Sequence, residues 1–562
     1  MNTLGETLLD RVSQAPEAPS VFLQHSGKPD LRVNYADLLR GSNRYAQAFK
    51  SNGLLPGEVV ILILQHGADL IYSFWGAILY GAIPSIMPFL TEKLPPEQYR
   101  ADLAALISVT RPAGIVTYPE FEAEVRSALK EGGSVRTVIS TTAVIALPDD
   151  ATVAPAAGLR SPTDIVLLQH SSGTTGLQKG VALSHQAVLN QLQAYAKALH
   201  LAAGDVVVSW LPLYHDMGLI AGFLMPILSG IPLVLSSPFD WVRAPYRLLQ
   251  SVSHYKGTLS WLPNFGFNFC TQKIRDKSLE GVDLSSWRAI INCSEPVRWE
   301  SHHAFFQRFK SYGLRDTAPQ ASYAMAENVF GVTQSDLSRP PSFEDLDIDA
   351  FVSRREVRDA PQGTRPFRMM SSGTPLENTE VRVVDDGGTP LAERRMGEIA
   401  LRSDCMLTGY YNRPDADEKA FRDGWFLTGD YGYLSAGELY VWGRKKDVII
   451  VGGKNVYPQD LEALSYEVPG VHPGRAVAFG VFDEETGTED VVMVAEIDSD
   501  NPAERARIAD LIRQHVTKNS AIALRRVQVV GPKWILKTSS GKTARGANRE
   551  KFLGEFGWPE EY

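Results

Sequence analysis

Short apolar runs of strand length alternate with helical patterns through most of the first 440 residues. The run Val59–Leu64 indicates a buried strand, and the helical pattern Ala68–Tyr80 and a further apolar run, Ile83–Leu90, follow it. The same rhythm returns at Val206–Leu211, Ile231–Leu235, Leu259–Leu262 and Ala289–Asn292. Strands that are apolar throughout are buried on both faces, so the alternation predicts an α/β fold of largely parallel sheets covered by helices.

The pattern changes at about residue 444, where a compact unit of strands and helices begins. We therefore expect a large N-terminal domain at 1–443 and a small α+β domain at 444–562. No long linker separates them, so Gly443–Asp447 is expected to form a tight hinge. A polar stretch at 328–370 fits neither rhythm, and we expect it to be an insertion on the surface of the large domain.

Composition and charge restrict the class of protein. Hydrophobic residues make up 44% and charged residues 22% of the 562 residues, which is typical of globular proteins. The 56 basic and 65 acidic side chains give a net charge of −9, which argues against nucleic acid or an anionic membrane as the main partner. Three cysteines without a C-x-x-C pattern exclude a disulfide framework or a cysteine-rich metal site.

One long apolar stretch, Gly218–Leu235, raises the question of a membrane span. Pro226, Gly230 and Pro232 interrupt it, so a buried helix followed by a strand is the favoured interpretation. The N-terminal segment lacks the basic start and apolar core of a signal peptide. We therefore expect a cytoplasmic protein without integral membrane association.

The strongest motif is Ser171–Gly180, SSGTTGLQKG, between the expected strand Ile165–Leu168 and the apolar run Val181–Leu183. Small residues present backbone N–H groups and hydroxyls to phosphate oxygens, and Lys179 adds positive charge. A Walker A loop is disfavoured, because a strand-like run and not a helix follows the lysine. The alternative is a flexible linker. The predicted phosphate-binding residues are Ser171, Ser172, Gly173, Thr174, Thr175, Gly176 and Lys179.

Five further motifs follow this loop in order. They are Trp210–Gly218 (WLPLYHDMG), Tyr323–Glu327 (YAMAE), Thr428–Asp430 (TGD), Gly443–Asp447 (GRKKD) and Ser539–Lys542 (SSGK). The set resembles the adenylate-forming enzymes, a superfamily that contains acyl-CoA synthetases, fatty acyl-AMP ligases, luciferases and peptide-synthetase adenylation domains. Tyr457–Glu462 (YPQDLE) and the insertion before Ser371–Gly373 are similar to the fatty acyl-AMP ligase branch.

The resemblance implies an enzyme that uses ATP and Mg²⁺. A carboxylate attacks the α-phosphate, which gives an acyl-adenylate and pyrophosphate, and a thiol then attacks the activated carbonyl. The implied substrate is a fatty acid of medium or long chain, and the implied acceptor is the phosphopantetheine thiol of a separate acyl carrier protein. Free coenzyme A is the alternative acceptor. Two rivals from other classes are a P-loop NTPase and a non-catalytic binding protein.

The resemblance also implies roles for single residues at the nucleotide. Thr174, Thr175 and Lys179 would hold the β- and γ-phosphates, and Glu327, with Thr174, would bind Mg²⁺. Asp430 and Arg444 would bind the ribose. The residues expected around the adenine are Ser294, Glu295, Pro296, Tyr323, Ala324 and Met325. The alternatives are a helix-capping role for Glu327 and an exposed turn for the basic run at Arg444.

Lys542 is the implied catalytic cation, which would bind the attacking carboxylate and the bridging α-phosphate oxygen. His215 would line the carboxylate end of the acyl pocket; a hydrogen-bonded core histidine, or a metal ligand together with Asp216, is the alternative. Lys446 is the implied hinge residue, about which the small domain would swing between the two steps. The expected acyl-pocket residues, for which ordinary core is the alternative, are Trp210, Gly218, Phe223, Trp261, Phe265 and Gly266.

Overall fold

The computed structural model describes residues 2–89, 96–147, 160–171, 179–347, 350–351, 355–364, 366–451, 454–483, 488–520, 522–538 and 542–557. Two seven-stranded sheets form the larger part of this structure. In spatial order, the first sheet contains Pro319–Ala321, Ala289–Asn292, Leu259–Leu262, Val207–Ser209, Leu233–Ser236, Pro19–Gln24 and Leu31–Asn34. Neighbouring strands of this sheet pair in parallel, except for Pro19–Gln24 and Leu31–Asn34, which are antiparallel.

The second sheet continues the parallel arrangement. Its spatial order is Gly409–Tyr410, Lys179–Ser184, Ile165–Ser171, Ile83–Ile86, Val59–Ile63, Gly114–Thr117 and Thr137–Ser140. The last five strands pair with one another in parallel. Lys179–Ser184 pairs antiparallel with both of its neighbours, Gly409–Tyr410 and Ile165–Ser171. The α/β class with largely parallel sheets is therefore confirmed.

Helices cover these sheets and connect their strands. The α-helices up to residue 309 are Leu4–Gln14, Tyr35–Ser51, Ala68–Tyr80, Pro96–Thr110, Pro119–Ser127, Thr141–Ile145, His185–Ala198, Met225–Ser229, Pro238–Arg243, Tyr246–Tyr255, Asn264–Lys273 and Trp299–Phe309. Later α-helices are Pro414–Ala420, Pro458–Tyr466, Pro502–Ser520 and Arg545–Phe556. A π-helix covers Met217–Leu224, and 3₁₀ turns cover Asp276–Ser278, Lys310–Tyr312, Ala326–Asn328 and Lys445–Asp447.

The apolar stretch at 218–235 forms a helix and then a strand, as expected. The π-helix Met217–Leu224 and the helix Met225–Ser229 are almost wholly buried, and the strand Leu233–Ser236 lies inside the first sheet. A Cβ on Gly218 would lie 2.2 Å from the Pro212 carbonyl oxygen, so only glycine fits this close approach. In the described part of the chain, no helix is both long and apolar enough to span a bilayer.

An antiparallel sheet replaces the parallel arrangement before residue 444. It contains Thr379–Val384, Gly397–Ser403, Phe421–Arg422, Trp425–Ser435 and Glu438–Arg444. Buried and partly exposed residues alternate over much of Trp425–Ser435, because one face of this sheet packs against the core and the other does not. This region is an exception to the alternation predicted for most of the first 440 residues.

The C-terminal unit has its own three-stranded sheet and its own apolar cluster. Ala476–Asp483 pairs antiparallel with Thr488–Glu496, which pairs in parallel with Leu524–Val530.

Three short antiparallel pairs complete the strands: Thr333–Gln334 with Thr374–Pro375, Phe343–Leu346 with Phe367–Met370, and Ile449–Val451 with Lys454–Val456.

The polar stretch 328–370 is more buried than its composition indicated. Val329, Phe330 and Val332 belong to the main apolar core. Leu346 and Phe351 are 0% exposed and lie in a smaller cluster with side chains of the antiparallel sheet. The polar residues between them obscured this spacing, so only part of the stretch has the surface position that we expected.

Candidate active site

A large cleft of about 2370 Å³ runs between the first sheet, the antiparallel sheet and the C-terminal unit. Neighbouring parallel strands of the first sheet, Val207–Ser209, Leu259–Leu262, Ala289–Asn292 and Pro319–Ala321, end at this cleft. The carboxyl ends of parallel strands meet at one edge of a sheet, which is where α/β proteins bind ligands. This edge explains why four segments far apart in the sequence, which contain Trp210, Phe265, Ser294 and Tyr323, line the same cleft.

Asp430 and Arg444 face each other across paired antiparallel strands. The Arg444 Nε lies 2.9 Å from Asp430 Oδ1, and the Tyr323 hydroxyl donates to Asp430 Oδ2 at 2.5 Å. The Asp430 carboxylate holds the pKa of Arg444 above its ordinary value. Burial, and then the same carboxylate, raise the pKa of Tyr323. The carboxylate is thus fixed in the cleft by a cation and a hydroxyl.

Glu327 lies in the 3₁₀ turn Ala326–Asn328, beside Tyr410 of the second sheet. The Tyr410 hydroxyl donates to Glu327 Oε1 at 2.9 Å, and Lys179 Nζ lies 4.4 Å from the centroid of the Tyr410 ring. Burial raises the pKa of Glu327. A divalent cation would offset this burial, and carboxylate oxygen is a donor that Mg²⁺ prefers, so the site fits the metal.

Magnesium on ATP is held by one or two carboxylates together with phosphate oxygens. Glu327 supplies such a carboxylate, and the described residues contain no cluster of three or more metal-ligating side chains. The partner expected for Glu327, Thr174, lies outside the described residues, as do Ser172, Gly173, Thr175 and Gly176. Ser171 ends the strand Ile165–Ser171, and Lys179 begins the strand Lys179–Ser184 and lines the cleft.

The segment Ser294, Glu295 and Pro296 follows the strand Ala289–Asn292 and lines the cleft. Ser294 has φ +71°, a conformation that is uncommon for residues other than glycine and turns the chain sharply after the strand. The Phe265 amide donates to Glu295 Oε2 at 3.0 Å, and burial raises the pKa of Glu295. The structure thus brings this segment to the wall that bears Phe265.

His215 and Asp216 are partly buried and line the cleft. Burial, with a smaller contribution from the positive charge of Lys542, lowers the pKa of His215 to about 3. Burial raises the pKa of Asp216, and the charge of Lys542 opposes that shift. Lys542 thus reaches the cleft and acts electrostatically on both residues, and His215 is a neutral imidazole at pH 7. Among the described residues, its Nε2 has no hydrogen-bond partner.

Lys446 lies in the 3₁₀ turn Lys445–Asp447, directly after the last strand of the antiparallel sheet. Burial, and then the neighbouring charge of Arg444, lower the pKa of Lys446. Lys445 Nζ forms ion pairs with Glu398 Oε2 at 3.0 Å and with Asp386 Oδ1 at 3.3 Å. The turn is therefore attached to the antiparallel sheet on its N-terminal side.

An aromatic wall lines another part of the cleft. Trp210 and Trp241 are stacked with 3.6 Å between ring centroids, and Phe265 packs edge-on against both at 6.3 and 6.2 Å. Phe269 lies 5.2 Å from Trp241. Of these residues, Trp241 was missed in the sequence, because its short helix Pro238–Arg243 carries no recognisable motif; the N-capping Ser237 and Pro238 at its start were the only signals.

The other expected acyl-pocket residues occupy different places. Phe223 packs edge-on against Phe74, 5.8 Å away, inside the core. The Trp261 indole donates to the Tyr195 hydroxyl at 2.9 Å and is also buried. Phe223 and Trp261 are not among the described residues that line the cleft, and neither are Gly218 and Gly266. These four residues therefore do not belong to the aromatic wall, and their assignment to the acyl pocket stays a prediction; apolar spacing alone does not separate a cleft wall from a packed core.

Ala324 and Met325 line the cleft next to Tyr323. Ala324 forms a bridge with Gly331, and the Met325 amide donates to the Phe330 carbonyl oxygen at 2.8 Å. These backbone bonds present the Tyr323–Glu327 segment along one side of the cleft. The structure thus collects the described residues of the expected nucleotide site around a single space.

Comparison with known proteins agrees with this arrangement. Residues 8–411 match the sequence profile of the AMP-binding enzyme family. The chain is a member of the AMP-binding enzyme family. A putative acyl-CoA synthetase of Caulobacter vibrioides is 30% identical to this enzyme, over 93% of the chain and 91% of the relative. The medium-chain-fatty-acid–[acyl-carrier-protein] ligase JamA of Moorena producens is 28% identical, over 95% and 92%.

A solved structure from work on the fatty acyl-adenylate ligases of E. coli and L. pneumophila also resembles this AMP-binding enzyme. The two share 27% identity and a TM-score of 0.91, and the similarity covers 99% of this chain and 98% of the other. The similarity therefore includes the C-terminal unit, which lies beyond the match to the family profile.

Proposed function

We propose that this AMP-binding enzyme activates a medium- or long-chain fatty acid with ATP to an acyl-adenylate and releases pyrophosphate. It then transfers the acyl group to the phosphopantetheine thiol of a separate carrier protein and releases AMP. The observation that carries the proposal is the joint presence in one cleft of the Asp430–Arg444 pair, Glu327, Lys542 and the aromatic wall. Each of these groups suits a different part of an acyl-adenylate.

The nucleotide is proposed to lie along the Asp430 side of the cleft. The fixed Asp430 carboxylate accepts hydrogen bonds from the ribose hydroxyls, and Arg444 adds a donor beside it. Ser294, Glu295 and Pro296 face the adenine, with Tyr323 against it. The loop at 172–178, together with Lys179, receives the β- and γ-phosphates.

The first step brings a carboxylate to a polyphosphate, so charge neutralisation and alignment limit it. Lys542 enters the cleft from the C-terminal unit and neutralises the charge that develops between the acid and the α-phosphate. Glu327, with Thr174, would hold Mg²⁺, which neutralises phosphate charge when it is bound. His215, which is neutral because it is buried, lines the carboxylate end of the acid site.

The acyl chain is proposed to lie against the wall formed by Trp210, Trp241 and Phe265. These rings present flat apolar surface, and burial of each chain methylene there contributes about 0.8 kcal/mol. This apolar contact favours a fatty acid over a small polar acid, which has few methylenes to bury.

Two successive reactions at one cleft require a rearrangement. We assign 1–443 to a large domain and 444–562 to a mobile small domain that turns about Lys446, so that Lys542 leaves before the thiol arrives. The enzyme is proposed to work in the cytoplasm, where its three free, buried cysteines remain reduced.

The assignment is tested by supplying ATP, Mg²⁺ and a panel of acids and analysing the products by mass spectrometry. The expected products are acyl-AMP and pyrophosphate, whereas ADP and phosphate alone would contradict adenylate formation. Coenzyme A or a phosphopantetheinylated carrier protein is then added. Acyl transfer to the carrier and not to coenzyme A is expected, and efficient acyl-CoA formation would reverse the acceptor assignment.

A further inference from the structure

The two ends of the loop that carries Lys542 are joined by hydrogen bonds. The Ala544 amide donates to the Leu536 carbonyl oxygen at 3.0 Å, and the Thr538 amide donates to the Lys542 carbonyl oxygen at 2.7 Å. The Lys542 amide donates to Thr538 Oγ1 at 3.2 Å. The backbone at Lys542 is therefore held by both neighbouring segments.

Asn548 closes the base of this loop from within the helix Arg545–Phe556. Its Oδ1 accepts from the Leu536 amide at 2.8 Å, and its Nδ2 donates to the carbonyl oxygens of Leu536 and Ala544, each at 2.8 Å. The side chain is 0% exposed. One buried amide thus uses its acceptor and both N–H donors to hold the two ends of the loop together.

Arg545, three residues after Lys542, connects the same loop to the hinge. Its Nη1 lies 3.1 Å from Asp447 Oδ2, its Nη2 lies 2.8 Å from both carboxylate oxygens of Glu462, and its Nε donates to the Ala478 carbonyl oxygen at 3.2 Å. The three charged side chains are 9–14% exposed. All three guanidinium nitrogens of Arg545 have partners in this network. Any movement that separated them would leave a buried charge unpaired, so the network fixes the position of Arg545.

We propose that Asn548 and Arg545 are positioning residues that set the place of the Lys542 ammonium in the cleft. Asn548 fixes Leu536 and Ala544, on either side of Lys542, relative to each other. Arg545 joins the segment that follows Lys542 to Asp447, at the end of the hinge turn. The inference rests on the proposed function, in which Lys542 acts only during adenylate formation. A displacement of about 1 Å at a reacting centre costs about 10²-fold in rate, so the loop base has a direct effect on this step.

The first test is Asn548→Asp, which keeps the size of the side chain and removes both N–H donors. We expect the kcat for acyl-AMP formation to fall about 10- to 100-fold. Acyl transfer from supplied acyl-AMP to the thiol acceptor should stay within about twofold of wild type, the ordinary scatter of uncoupled sites. Asn501→Asp is the matched control in the same unit, because Asn501 Oδ1 only accepts, from the Ala503 amide at 3.0 Å, and a carboxylate does this equally well.

A double-mutant cycle with Lys542→Ala decides whether Asn548 acts through Lys542. If it does, adding Asn548→Asp to Lys542→Ala produces no further loss of acyl-AMP formation. A second loss as large as that in the wild-type background overturns the inference, and so does wild-type adenylation by Asn548→Asp alone. Failure of the proposed function is visible separately, as ADP and phosphate in place of acyl-AMP and pyrophosphate from the wild-type enzyme, whereas normal adenylation by the single variant Lys542→Ala overturns the inference.

Arg545→Lys provides a second variant in case Asn548→Asp does not fold. It keeps the positive charge but cannot reach Asp447 and Glu462 together. The same pattern is expected: slower adenylation, normal thiol transfer, and no added loss in the Lys542→Ala background. Thermal unfolding monitored by circular dichroism identifies the folded variants, and equal losses in both half-reactions would show a merely structural role and overturn the inference.

Discussion

At the scale of single residues, the site depends on charged groups whose partners come from distant parts of the chain. Asp430 is held by Arg444 and Tyr323, and Glu327 is held by Tyr410. Lys542 differs from these groups, because it reaches the cleft from the C-terminal unit. Asp430 and Glu327, which are held in place, suit nucleotide and metal binding. Lys542 suits adenylate formation, a step that is complete before the thiol reacts.

Lys542→Ala should therefore separate the two half-reactions. Loss of a positioned cation costs about 10²–10³ in the rate of acyl-AMP formation. Transfer from supplied acyl-AMP should proceed at nearly the wild-type rate, because the proposed rotation about Lys446 removes the lysine from the cleft before that step. Both rates are measured with the true acceptor, and equal losses would assign Lys542 to folding or docking.

Glu327→Gln should weaken productive binding of ATP and Mg²⁺ while leaving the fold intact. Because burial raises the pKa of Glu327, the ionised form is present only above that raised value. As the pH falls through it, the wild-type enzyme should need more Mg²⁺. The variant has no such titration, so its apparent KM for Mg²⁺ should be high and independent of Glu327 ionisation.

The control for Glu327→Gln is Glu377→Gln, at an exposed surface ion pair with Lys197. It should retain the Mg²⁺ and pH dependence of the wild type. If Glu327→Gln also behaves as wild type at limiting Mg²⁺, the carboxylate is structural.

At the scale of elements, the helix Pro238–Arg243 adds one ring, Trp241, to the aromatic wall. Trp241→Phe should reduce the stack on Trp210 and shift the preference of the enzyme toward bulkier acids. The measurement is kcat/KM across acids of increasing length and width. Trp287→Phe is the matched control, since Trp287 is buried beside Phe305 and away from the cleft. It should lower the unfolding temperature without changing the order of preferred acids.

Sequence patterns predicted the bounds of helices and strands well where the apolar residues followed a single helical or strand-like spacing. The helix Ala68–Tyr80 and the strands Leu259–Leu262 and Ala289–Asn292 have the expected bounds. The pattern did not separate Trp261, which is core, from Trp241, which lines the cleft, because both are large apolar residues and the difference arises only from tertiary packing.

Motif order predicted which residues of the site would meet, but not what holds them. The hydrogen bond from Tyr410 to Glu327 and the bonds between Asn548 and Leu536 are contacts that no local pattern encodes. The assignment of the loop at 172–178 remains a prediction, since those residues lie outside the described part of the chain.

At the scale of the whole molecule, an ion pair connects the two proposed domains across the cleft. Arg298 follows the expected adenine segment, and its Nη2 lies 3.2 Å from Asp460 Oδ1 on the helix Pro458–Tyr466. Burial raises the pKa of Asp460, and Arg298 opposes that shift. This contact stabilises the orientation in which Lys542 lies in the cleft.

Asp460→Asn should therefore slow acyl-AMP formation about fivefold, which corresponds to a partly buried pair of about 1 kcal/mol. Thiol transfer from supplied acyl-AMP should be unchanged or faster, because that step uses another orientation. Asp276→Asn is the control, since the Arg308–Asp276 pair, 2.6 Å long, lies wholly within the large domain. Equal slowing of both half-reactions by Asp460→Asn would show that the pair does not select an orientation.

The aromatic contact at the hinge gives this rearrangement a thermal signature. Trp442 lies in the last strand of the antiparallel sheet, Glu438–Arg444, and Tyr457 is the N-cap of the helix Pro458–Tyr466. Their rings pack edge-on with centroids 4.7 Å apart. Rotation about Lys446 would separate these rings and hydrate apolar surface. Hydration of apolar surface raises heat capacity, so the balance between the two orientations should change with temperature along a curve and not a straight line.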